Sequence, residues 1–175
     1  MDEVLTKSEQ STESNASRRN RESASQPNAS DLRFYAEVFT WHPPEVVWAY
    51  FSDLTKWPEW SPICQGCKLM DSDRLAKGSV LEICFKLLGV NICVPSRIVD
   101  LKPPGLITWT GRKFGLRAIH TYSFTASDSG TLMSNEETLC SVPFPLSWLI
   151  KNWYRVTKLS SASLEGIQRE LESGQ

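Results

Sequence analysis

Excess positive charge is the first thing this sequence lacks. Its 19 Lys and Arg against 20 Asp and Glu leave a formal net charge of −1. A nucleic-acid binder needs a basic footprint, so nucleic acid is not an expected partner. Long apolar runs are missing too: no stretch approaches the ~18 residues of a membrane-spanning helix. The first residues carry no apolar signal core and include Asp2, Glu3, Glu9, Glu13 and Glu22, which argues against a secretory signal or transit peptide. The expected location is therefore cytoplasmic. Cysteines are few, five in all and irregularly spaced, a count that fits free thiols in a reducing compartment better than a disulfide framework. Cys64 and Cys67 form a Cys-x-x-Cys pair without a second pair or nearby histidine to complete a zinc site. In an extended chain residues three apart point to opposite faces, so the pair reads as ordinary small apolar positions. Cys84, Cys93 and Cys140 read as core or strand residues. No metal and no cofactor are expected. The nucleophile elbow, the P-loop and the dinucleotide fingerprint are absent as well.

Large apolar residues are scarce at one end. Residues 1–30 hold only Val4 and Leu5, too little burial to offset the entropy of ordering. We expect a disordered N-terminal tail over 1–30 and one domain over 31–173.

What is present is a run of strand signals bracketed by helices. Leu32 to Trp41 alternates and is rich in aromatic and β-branched residues, which predicts a first strand. Pro43-Pro44-Glu45 starts a helix with its apolar stripe on Val46, Val47, Tyr50 and Phe51. Asp53 caps a second, very short helix through Trp57, which Pro58 is expected to stop. Strands are predicted over Ile63–Met70, Gly78–Leu87, Val90–Leu101, Leu106–Arg112, Leu116–Ala126 and Thr131–Val142. Gly89, Pro103-Pro104-Gly105 and Asp128-Ser129-Gly130 supply the turns. Strands in succession without helices between them imply an antiparallel meander. One long helix follows, Pro143 to Leu171, striped by Leu146, Leu149, Ile150, Trp153, Val156, Leu164, Ile167 and Leu171. The fold class is α+β: a curved antiparallel sheet of about seven strands wrapped around the C-terminal helix, with two short helices after the first strand.

The helix stripe is thin in its middle, where Thr157, Ser160 and Ser163 take the inward phase. Interiors are normally close-packed. Either large side chains from the sheet fill the space, or a cavity remains.

The chain resembles a known family in the order "FYAEVFTWHPPEVVWAYFSDLTKWPEWSP", then "RIVDLKPPGLITWTGRKFGLRAIHTYSFTASDSGTLMSNEETLC", then a long terminal helix. The first motif places Val47 and Trp48 on a proline-started helix before Asp53, Trp57 and Trp60. The second is Pro-Pro-Gly-x-x-x-x-Trp followed by His-x-Tyr-x-Phe and Gly-Thr. Together they are similar to the START-like, or SRPBCC, superfamily and its polyketide cyclase/dehydrase branch, which shares the fold of the birch pollen allergen. The resemblance covers residues 32–172. It implies a helix-grip fold whose deep apolar cavity takes lipids, sterols, polyketides or other hydrophobic small molecules. It implies no single chemistry, since such proteins include carriers, sensors and enzymes.

His120, Tyr122 and Phe124 share one strand face, as do Met133, Asn135, Glu137 and Leu139 on the next strand. Hairpin pairing brings the rows together, so His120 and Glu137 are candidates to anchor a ligand or, in an enzyme, to move protons. The plainer alternative is a satisfied buried pair. Arg97, in an otherwise apolar strand, is a candidate for holding a carboxylate at the cavity mouth, or else it snorkels from a sheet edge. Trp60 is the expected cavity wall, with Trp57 as lid. Phe85, Trp109, Trp153, Thr157 and Ser160 complete the expected lining. Phe144, Trp148 and Trp153, with Lys151 and Arg155, could also touch a membrane transiently. The leading expectation is a monomeric binder or carrier of a hydrophobic small molecule. The alternative is a cyclase/dehydratase-type enzyme using the same cavity. A third is a ligand-gated interaction module with the N-terminal tail facing its partner.

Overall fold

The computed structural model of the chain describes residues 31–87 and 89–174. The tail expected over residues 1–30 lies outside the described residues. Strands β1 (Leu32–Thr40), β2 (Cys64–Leu69), β3 (Val80–Leu87), β4 (Val90–Lys102), β5 (Leu106–Lys113), β6 (Leu116–Ser127) and β7 (Gly130–Cys140) form one antiparallel sheet. Their order is β1-β7-β6-β5-β4-β3-β2. The helices are α1 (Pro44–Ser52), α2 (Trp57–Trp60), α3 (Leu146–Thr157) and α4 (Leu159–Ser173). β1 occupies one edge and the next strand, β2, the other. α1 and α2 make that crossing, and hairpins bring the chain back to β7 beside β1.

Strand alternation decides what faces inward. In β4, Val94, Ser96 and Ile98 are buried while Pro95, Arg97 and Val99 are exposed. β-bulges between Ile98 and Asp100 and between Cys64 and Gly66 add bending to the sheet. The core gathers around Phe51 of α1, whose ring lies 4.9 Å from Tyr122, 5.1 Å from Phe124, 5.3 Å from Trp57 and 5.6 Å from Trp60. Leu164, Ile167 and Leu171 of α4 close the same cluster.

Four local expectations are corrected. Pro58 does not stop a helix. Asp53 Oδ1 accepts from the Thr55 N–H to cap a 3-10 turn, Leu54–Lys56, and α2 then carries Pro58 in its first turn. Proline is tolerated there because the first turn's N–H groups have no helical acceptor.

The terminal helix begins at Leu146 rather than Pro143, and it is bent. Lys158 takes the left-handed conformation, φ 48°, and separates α3 from α4. Its N–H still donates to the Tyr154 carbonyl, 2.9 Å, which closes the end of α3.

Cys84 and Cys93 form a disulfide, against the expectation of free thiols; Cys64, Cys67 and Cys140 are free. The β3–β4 hairpin sets residue 84 directly opposite residue 93, and side chains opposite one another share a face.

Cys64 and Cys67 do not point to opposite faces. The bulge in β2 sets Cys64 opposite Phe85 and Cys67 opposite Ile83, and both of those partners face inward. Burial pushes both thiols up from their ordinary pKa, and they stay protonated, poor nucleophiles.

Gly166 lets α4 lie directly on the backbone of α2. A Cβ added at Gly166 would collide with the carbonyl oxygen of Trp60. Backbone cannot swing aside as a side chain does, so Gly166→Ala is expected to destabilise the fold by about 1–3 kcal/mol or more. The control is Gly66→Ala, where an added Cβ meets no atom within 4 Å. Equal urea midpoints for the two variants would contradict the clamp.

Candidate functional site

Between the inner face of the sheet and the two halves of the terminal helix lies a cavity of about 310 Å³. Trp57, Trp60 and Tyr122 both line it and pack on Phe51, so they divide it from the solid core. Ile150 and Trp153 of α3 line it across from Lys113, Phe114 and Leu116 of the β5–β6 turn. Phe114 is 80% exposed, which makes this side the mouth. Ile63, Ile83, Phe85, Ile92 and Val94 supply an apolar wall.

One polar row crosses that wall. Strand register places Ile98, Trp109, His120, Glu137 and Phe34 side by side on five successive strands. The Trp109 and His120 rings stack, 5.4 Å apart with 9° between planes. His120 Nε2 lies 3.3 Å from Glu137 Oε1, and Tyr154 of α3 donates its hydroxyl to Glu137 Oε2. The Tyr154 ring stacks on Phe34, 3.7 Å between centroids. The Glu137 carboxylate, 7% exposed, thus bridges imidazole and phenol under the bend of the terminal helix. Burial first, then the adjacent carboxylate, holds the Tyr154 and Tyr122 phenols well above the usual tyrosine range. Ser163 opposes the shift at Tyr122 by hydrogen bonding.

Buried polar groups in proteins normally find partners. Among the described residues, the buried side-chain atoms without a protein partner are Trp60 Nε1, Asn135 Oδ1, Ser160 Oγ and Thr40 Oγ1. The first three belong to cavity-lining residues. The contrast with Trp57 is direct: its Nε1–H donates to the Phe51 carbonyl, 2.8 Å. Each of these three atoms is itself buried beside the cavity, with almost no accessible surface and no protein partner.

Of the residues singled out from sequence, Trp60, Phe85, Trp109, His120, Tyr122, Glu137, Trp153 and Ser160 line the cavity. Three do not. Arg97 lies on the outer face, because β4 turns Ser96 and Ile98 inward, and its Nη1 donates to the Gly78 carbonyl at 2.7 Å. Phe124 is 2% exposed within the solid core, against Phe51 and Trp48. Thr157 faces solvent at the helix bend, its hydroxyl donating to the Trp153 carbonyl. Trp57 is no lid: at 3% exposed it is as deeply held as Trp60. Asn135, expected on the inward row but not as a site residue, and Tyr154, not expected at the site, also line the cavity. Asn135 sits two residues before Glu137 on one strand face, a signal that alternation supplies. Tyr154 lies off the expected helical stripe, yet it lines the cavity one turn after Ile150. Among the described residues no group of three or more His, Cys, Asp or Glu is placed to hold a metal ion.

A family model described as polyketide cyclase / dehydrase and lipid transport matches residues 32–172. A protein named as a toxin from Mycobacterium tuberculosis is 34% identical over 73 residues, 42% of this chain and 51% of that protein. The chain thus spans about half the length of the curated relatives it matches. The di-domain aromatase/cyclase StfQ of the steffimycin biosynthetic pathway superposes with a TM-score of 0.65 at 17% identity, over 83% of this chain and 52% of that one. A START superfamily protein from Mycobacterium smegmatis gives a TM-score of 0.63 at 17% identity, over 79% of this chain and 98% of that one. At such identities the structural likeness is one of fold.

The raised phenols give a pH expectation. A phenol whose pKa is higher folded than unfolded stabilises the fold below its ordinary value near ~10, and that contribution is lost as pH rises through the folded value. In an alkaline titration followed by tyrosinate absorbance, Tyr122 and Tyr154 should ionise late and together with unfolding. Tyr154→Phe should remove one late-ionising group. Full ionisation of every tyrosine near pH ~10, with circular dichroism unchanged, would contradict this burial.

Proposed function

We propose, because this chain belongs to the polyketide cyclase/dehydrase and lipid transport family, that it encloses a compact hydrophobic small molecule between the sheet and the bent terminal helix. The observation that carries this reading is the cavity itself, about 310 Å³, with Ile63, Ile83, Phe85, Ile92 and Val94 as an apolar wall and His120, Tyr122 and Glu137 among its few polar lining groups. Ligand sites commonly combine apolar walls with a few convergent polar groups that fix orientation. An imidazole, a phenol and a carboxylate in the lining suit a ligand carrying both an acceptor and a donor, such as a carbonyl near a hydroxyl. Apolar burial would supply the affinity, at ~25 cal/mol per Å² before the losses of association. A volume of about 310 Å³ suits a small polycyclic or short-chain molecule better than a long diacyl lipid.

A second reading rests on the Tyr154–Glu137–His120 arrangement. In it the same cavity folds a flexible substrate into a reactive shape, and His120, oriented by Glu137, moves a proton in a cyclase or dehydratase step.

Native mass spectrometry of gently purified protein should reveal a bound apolar molecule or, on titration, one-to-one uptake of a fluorescent apolar probe. Ala118→Phe, which adds a ring at the cavity wall, should weaken that uptake at least ~10-fold by occupying ligand volume. Protein that takes up no apolar molecule, or equal uptake by this variant, would overturn the binding reading. For an identified substrate, His120→Ala should abolish turnover and leave binding intact; unchanged turnover would remove the proton-transfer role.

A further inference from the structure

The outer face of α3 has no work to do in the cavity. Ile150 and Trp153 point inward, while Trp148 and Leu149 stand 62% and 53% exposed. Trp148, Lys151 and Arg155 recur at helical spacing on one stripe opposite the cavity-lining side. Just before the helix, Phe144 is 83% exposed, and across the mouth Phe114 caps the β5–β6 turn.

Charge is sorted in the same place. No Asp or Glu occurs from Leu101 to Ser127 or from Thr138 to Leu164. Those two segments, which frame the mouth, carry Arg112, Lys113, Arg117, Lys151, Arg155 and Lys158, all exposed. The nearest carboxylates on neighbouring strands are engaged or turned away: Asp31, just before β1, accepts from the Ser141 N–H at 2.8 Å. Glu137 lies inside with Tyr154 and His120. Glu37 accepts from Tyr35 on the outer face of the sheet, and Glu136 stands opposite Tyr35. A chain with a net charge of −1 thus presents a predominantly basic rim around its mouth, with Asp31 as the one carboxylate bound at its edge among the described residues.

We propose that this rim docks on an anionic lipid bilayer and sets the cavity mouth against the membrane. Separated aromatic tips from two elements, interleaved with Lys and Arg, match the interface zone of a bilayer. There aromatic rings sit at headgroup level and basic side chains meet phosphate and carboxylate groups. An acidic protein would use the charges and leave the aromatic tips without a role. Nothing in the proposal depends on which molecule the cavity holds.

The test is flotation of the full chain with phosphatidylcholine vesicles, with and without phosphatidylserine. The protein should float with the anionic vesicles, fall away as salt rises, and ignore phosphatidylcholine alone. Lys151→Glu with Arg155→Glu, and separately Phe144→Ser with Trp148→Ser, should each lower partition at least about ten-fold while retaining uptake of the apolar probe. No flotation with anionic vesicles overturns the proposal, as does flotation unchanged in both variants. Binding to polyglutamate in place of vesicles, equal in wild type and the Phe144/Trp148 variant, overturns it in favour of an acidic protein. Loss of probe uptake by the wild type leaves the vesicle result standing and bears only on the cavity.

Discussion

Where the terminal helix can lie is set by the absence of a side chain at Gly166. With nothing between them, α4 rests on the backbone of Trp60, and Leu164, Ile167 and Leu171 join the aromatic cluster around Phe51. That end of the domain is packed solid, as protein interiors usually are. The other half of the helix has no such anchor in the core. The left-handed residue at Lys158 sets the angle at which α3 leaves α4, and the space beneath the bend is the cavity. One tight contact and one reversed dihedral thus divide a single concave sheet into a filled half and an open half.

The open half is held together by polar contacts. Tyr154 ties α3 to Glu137 of β7 and stacks on Phe34 of β1, so the helix is fastened to the sheet by one phenol. Glu137 also meets His120, and the ring of Trp109 covers the imidazole. Such a network is well ordered only while every member is satisfied. The groups left unsatisfied, on Trp60, Asn135 and Ser160, lie on the same cavity wall.

Much of this was legible in the sequence because much of it is local. Alternation, and turns marked by Pro103-Pro104-Gly105 and Gly130, located every strand, and period two put His120 and Glu137 on facing rows. The same parity would have sent Arg97 outward, since Ile98 beside it must face in. What could not be read depends on rare backbone states or on register. A left-handed lysine leaves no compositional mark, so the helix stripe reads as continuous and leaves Tyr154 off it. The bulge before Gly66 reversed the parity of Cys67 relative to Cys64. The disulfide follows from register alone: Cys84 and Cys93 lie equally far from the β3–β4 turn, as Leu87 and Val90 do. Counting cysteines carries no such information.

The pairing of β1 with β7 has a consequence for the order in which the domain is made. Leu32 meets Leu139, and among the described residues β1 has no other sheet partner. Strands β3 to β7 are joined by short hairpins, and β2 to β3 by residues 70–79, so they can assemble as each leaves the ribosome with modest loop entropy to overcome. β1 emerges first and waits through the synthesis of the entire meander. Only then can it seal the sheet edge beneath the bend of the terminal helix. The earliest of these seven strands to be translated is thus the last to find its neighbour, and until it does β7 presents an open edge, the kind of surface on which nascent chains associate.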